Sequence, residues 1–160
     1  MALATKLGGL FFDQAKVVIT SRPRLDGLIA SGLAFEACAA QTLAVEALLF
    51  LATMLKATDR DLQTSEQIRT GLSKLTFGQI LRRAQKENLL PTALAAELDA
   101  YVQHRNFLVH RLHPQNEQAK NEEIYAHGNR GIDELLNIIR PGLDARLRAA
   151  GVIPSPWEDR

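Results

Sequence analysis

The run LPTALAAELDAYVQHRNFLVHRL spans Leu90 to Leu112. At about 100° per residue, Leu94, Leu98, Tyr101, Val102, Leu108, Val109 and Leu112 fall on one stripe, the period of an amphipathic helix. Pro91 suits the first turn of such a helix, and Pro114 cannot continue it. The same period returns on both sides. Toward the N-terminus it predicts helices over about Leu10–Thr20, Leu25–Ala57 (with Gly32 as a point where it can bend) and Thr76–Asn88. The first ends at Ser21-Arg22-Pro23, and Thr58–Gly71 reads as a polar connection. Toward the C-terminus, residues 114–120 read as a loop and Glu122–Ile139 as a fifth helix. Arg140-Pro141 ends that helix, and a short one follows to Ala150, closed by Gly151. No alternating run bounded by hairpin turns occurs. The reading is an all-α protein, an antiparallel bundle of about five helices, with residues 1–153 as one domain and 154–160 as an extended tail.

Composition agrees. The 160 residues are 46% apolar and 23% charged, ordinary for a globular chain long enough to bury a core without disulfides or metal. A net charge of +1 is far from that of a dedicated DNA-binding domain, so any nucleic-acid contact must be local. The one cysteine, Cys38, excludes an internal disulfide and a four-Cys zinc site, and points to a reducing compartment. Flanked by Ala37, Ala39 and Ala40, it reads as a small core residue. The apolar patch before Asp13 is too short for a signal-peptide core. In the apolar stretch Leu28–Leu55, Glu36, Gln41 and Glu46 leave no long uncharged run, so a buried helix and a cytoplasmic protein are expected, with no membrane span.

Arg105 falls inside the apolar stripe of the Leu90–Leu112 helix. A buried guanidinium is costly unless paired and hydrogen-bonded. The second helix supplies acids. Glu46 lies among Phe35, Thr42, Leu43, Leu49 and Phe50 and is the first candidate partner. Glu36, beside Ile29, Leu43 and Met54, is the second. Such a pair can simply set helix register, or it can hold an Arg rigid so that part of its fork reaches a phosphate.

Asn106, His110 and His113 follow at i, i+4 and i+7 and share a face beside the stripe. Arg105 and His110, about 140° apart on the wheel, can flank a cleft. The simplest second wall for that cleft is the same helix of a twofold-related copy, so a homodimer is expected. An Arg–Asn–His set suits metal-free cleavage of RNA. An imidazole can move the ribose 2′-OH proton near neutral pH, and the guanidinium can stabilise the charge that develops on phosphorus. Asn106 would orient phosphate or imidazole. His113, or His110 of the other copy, would serve as acid.

The R-N-x-x-x-H string from Arg105 to His110 resembles the signature of the HEPN superfamily, the higher eukaryotes and prokaryotes nucleotide-binding domains. The resemblance is close over about 25 residues. It implies a dimeric all-α fold. For active members it implies a metal-independent endoribonuclease, often a toxin or phage-defence element, with Arg105 and His110 as the catalytic pair and Asn106 as the polar position after the Arg. Such toxins can have an antitoxin or other protein partner. The subgroup paired with nucleotidyltransferase antitoxins has Tyr two residues after the His, where this chain has Leu112 after Arg111. Other superfamily members are noncatalytic modules that bind RNA, a nucleotide or a protein, which is the alternative reading.

Other constellations are weaker. His104, His110 and His113 lack the nearby Cys or acid that a metal site needs, so no metal and no cofactor is expected. Arg82, Arg83 and Lys86 form a basic patch, either a solvated face or a phosphate-tracking surface that supports the site together with Arg111. Ser155-Pro156-Trp157 would dock on the bundle or on a partner.

Overall fold

The computed structural model describes residues 22–60, 65–110, 118–149 and 151, without the side chains of 58–60, 65, 66, 105, 107–110 and 147. The expected helix over 10–20, Arg111, His113 and the tail with Trp157 lie outside the described residues. Among those described, all regular structure is helical. The helices are α1 (22–30), α2 (Ala34–Arg60), α3 (Ser65–Leu72), α4 (Phe77–Lys86), α5 (Thr92–His110) and α6 (Gln118–Ala149).

Four boundaries depart from the sequence reading, the smallest being the start of α6 at Gln118, inside the expected 114–120 loop. The long second helix is two helices. Gly32 sits at φ +76, and the Leu33 amide donates to the Leu28 carbonyl at 2.9 Å. This is a left-handed C-cap that ends α1 and turns the chain back. The polar connection contains α3, whose apolar side turns inward through fully buried Leu72 and partly buried Ile68. These eight residues are mostly polar but carry one apolar face, and they form a helix because the bundle receives that face. Pro141 does not end the fifth helix. It lies inside α6, with Ile139 and Leu143 fully buried beside it. The Arg146 Nη2 donates to the Leu55 carbonyl at 3.3 Å. Packing of α6 against α2 on both sides of Pro141 outweighs one missing backbone donor.

The Thr76 amide donates to Gln79 Oε1 at 2.8 Å at the start of α4. Asn88 takes φ 50 after its end, and the Leu89 amide closes onto the Ala84 carbonyl at 2.9 Å, so α4 turns directly into α5.

The side-chain pairs give the helix directions. On α2 and α6, Cys38 meets Asn121, Gln41 meets Tyr125 and Leu55 meets Arg146, so the two longest helices run parallel. On α5 and α6, Leu98 lies at Gly131 and Tyr101 at Gly128, so α5 runs against both. Arg22 and Asp26 of α1 meet Asp133 and Tyr125, which makes α1 antiparallel to α6. The bundle is therefore all-α but not purely antiparallel as expected, because its principal contact is a parallel one.

The core is centred on α2, where Val45, Leu48, Leu49, Leu51, Ala52 and Leu55 are all buried. Ala34–Ala57 is long and apolar enough to cross a membrane by length and composition, yet 67% of its most apolar window is buried inside the bundle. A core helix wrapped by neighbours on several sides has this composition for that reason.

Candidate functional site

The R-N-x-x-x-H string occupies the C-terminal end of α5. Leu94, Leu98 and Tyr101 are buried as the stripe requires. Asn106 is exposed. The side chains of Arg105 and His110 are not described, but their backbone is helical. Arg105 thus stands one turn beyond Tyr101 on the same face of the helix.

Tyr101 ties the string to the rest of the bundle. Its hydroxyl donates to Gln41 Oε1 at 3.1 Å and lies 3.4 Å from Thr42 Oγ1. Gln41 Nε2 donates to the Tyr125 carbonyl at 2.8 Å and to Asn129 Oδ1 at 2.9 Å. Gln41 is completely buried, and its amide uses both its donor and acceptor groups across α2, α5 and α6. Gly128 makes room for it. A Cβ there would lie 2.0 Å from Gln41 Oε1 and 2.7 Å from Tyr101 Cε2. The side chains of Gln41 and Tyr101 pressed against the α6 backbone, rather than a need for positive φ, require glycine at this position.

This junction sets the level of the candidate partners of Arg105. Tyr101 is opposite Gln41 and Thr42, and α5 runs against α2. One turn along α5, Arg105 is therefore level with Ala37 and Cys38. Glu46 lies on the other side of Gln41, with its Cα about 13 Å from that of Arg105 along the bundle axis at 1.5 Å per residue. It is half-buried. Glu36 is closer in level but exposed. By backbone register alone, Glu36 is nearer in level to Arg105 than Glu46 is, although the helical wheel puts Glu46 first. A wheel carries angle but no height.

At the level of Arg105 stand Cys38 of α2 and Asn121 of α6. Cys38 is buried, its Sγ donates to the Asn121 carbonyl at 3.0 Å, and burial pushes its thiol up to about 11. It is a protonated core group with no nucleophilic character at neutral pH. Asn121 is buried, and its Oδ1 has no hydrogen-bond partner among the described residues.

A second polar cluster was not anticipated. His127 of α6 meets three α5 residues. Its Nε2 is 3.7 Å from Glu97 Oε1, and its ring stands edge-on to Tyr101 and to His104, with centroids 6.1 and 5.8 Å away. Glu97, Tyr101 and His104 recur at i, i+4 and i+7. That spacing was present in the sequence, but the partner comes from a helix whose register the sequence does not show. Among the described residues no group of three His, Cys, Asp or Glu is arranged to hold a metal ion.

The basic patch is solvated. Arg82 Nε donates to the Gly78 carbonyl and Arg83 Nε to Glu87, and Lys86 is exposed. On the far side, Tyr125 donates to Asp26 Oδ1 at 2.7 Å. Burial first, and this hydrogen bond second, push its phenol up to about 12.

No protein-family model, curated protein or solved structure matches the chain.

Proposed function

We propose that the chain is a metal-independent endoribonuclease of HEPN type that works as a homodimer, with toxin or defence roles as the biological setting. The observation that carries this reading is the R-N-x-x-x-H string on the last turns of α5, one turn beyond a tyrosine anchored in the core. His110 takes the proton of a ribose 2′-OH. The 2′-oxygen attacks phosphorus, and the bond to the 5′-oxygen breaks, leaving a 2′,3′-cyclic phosphate. The leaving oxygen receives a proton from a second imidazole, either His113 or His110 of the partner subunit. Arg105 carries the phosphate charge and Asn106 orients it.

The test is incubation of the purified protein with mixed RNA in EDTA, beside His110→Ala. Cleavage by the wild type alone, with cyclic phosphate ends, supports the reading. No cleavage by a folded, dimeric protein replaces it with the noncatalytic module that binds RNA, a nucleotide or a partner protein through the same surface.

A further inference from the structure

We infer that Gln41 and Tyr101 are positioning residues for the Arg105–His110 string, acting from the core without touching substrate. The inference rests on the functional reading above and adds to it the device that sets the rotation of α5.

A leucine at position 41 would fill the junction without any polar group. Gln41 is instead buried completely, and this is tolerable only because its amide is satisfied by Tyr125, Asn129 and Tyr101. Close packing fixes the direction and height of α5, and a hydrogen bond to the end of a ring adds a restraint on its roll, since such a bond weakens with angle. The Tyr101 hydroxyl is a point on α5 where such a bond reaches α2. The edge-on contact of the same ring with His127 adds a stop from α6.

The lever is short. Side-chain ends lie about 6 Å from a helix axis, so a roll of about 10° displaces them by about 1 Å. A displacement of that size at a reacting centre costs about 100-fold in rate. Arg105 is one turn from Tyr101 and His110 about two and a half, so both move with any roll of α5 relative to a second wall.

The experiment uses the full chain with Tyr101→Phe, which deletes only the hydroxyl, and Gln41→Leu, which deletes the amide at similar volume. Both are assayed on RNA at a temperature where circular dichroism shows them folded. The expected result is a kcat lowered by about 10- to 100-fold with KM within about twofold of wild type. An unchanged kcat in either folded variant overturns the inference and leaves the ribonuclease reading intact. Amide hydrogen exchange reads the same device without activity. Tyr101→Phe is expected to speed exchange over residues 105–110 at least about tenfold, with residues 77–86 of α4 unchanged. If the wild type cleaves no RNA, the ribonuclease reading fails. Exchange then decides alone: faster exchange confined to 105–110 supports the positioning role, and unchanged exchange overturns it.

Discussion

Replacing Gly128 by Ala tests the central junction most directly. The added methyl would stand 2.0 Å from Gln41 Oε1, 2.4 Å from its Cδ and 2.7 Å from Tyr101 Cε2. The first contact is about 1.4 Å short of ordinary van der Waals separation. Gln41 has no solvent to escape into. It must either abandon its bonds to Tyr125, Asn129 and Tyr101 or force α6 away from α2 and α5. Overpacking of this kind costs about 1–3 kcal/mol, and each lost hydrogen bond adds about 1 kcal/mol. Alanine's better helix propensity returns about 1 kcal/mol. The net expectation is a loss of about 3 kcal/mol, or a Tm lowered by about 6–12 °C. Urea unfolding followed by circular dichroism measures it. Gly78→Ala is the control, because a Cβ there meets nothing within 4 Å and the change should be neutral or stabilising by up to about 1 kcal/mol. In a Gln41→Ala background, Gly128→Ala should cost at least about 1 kcal/mol less than in wild type. A Gly128→Ala protein as stable as wild type would refute the account of the junction.

Three further outcomes follow from the same geometry. Because burial holds the Cys38 thiol up to about 11 against an ordinary value of 9.0, its contribution to stability is complete below about pH 9. It is lost at up to about 1.4 kcal/mol per pH unit as pH rises through about 11. Urea titrations from pH 8 to 11 should show this loss in wild type and a smaller slope in Cys38→Ala, and equal slopes would contradict it. Pro141→Ala restores a backbone donor inside α6 and should stabilise the protein by about 1 kcal/mol or more, read by the same unfolding assay. A double-mutant cycle between Arg105→Ala and Glu46→Ala should give a coupling below about 0.5 kcal/mol, given their axial separation. A coupling of several times that value would show that the register argument is wrong.

The candidate site was legible in part. The R-N-x-x-x-H spacing is local, so a wheel finds it. The anchoring residue Tyr101 was found only as one more apolar position, and Gln41 only as an interruption of an apolar run. Their pairing depends on how far α2 and α5 are displaced along each other, which no periodicity encodes. His127 and Glu97 were missed for the same reason.

What the sequence determined by itself is local. The 3.6-residue period and the composition specify helices and an all-α core, because the period depends on contacts within a turn or two. Tertiary structure decided whatever depends on distant segments. It carried α6 through Pro141, where burial against α2 outweighs a lost hydrogen bond. It formed α3 from a polar stretch, because the bundle receives Leu72. It set α2 and α6 parallel, with Gly128 admitting Gln41 between them. The direction and height of one helix against another come from interlocking side chains far apart in the chain, and only the folded bundle brings those together.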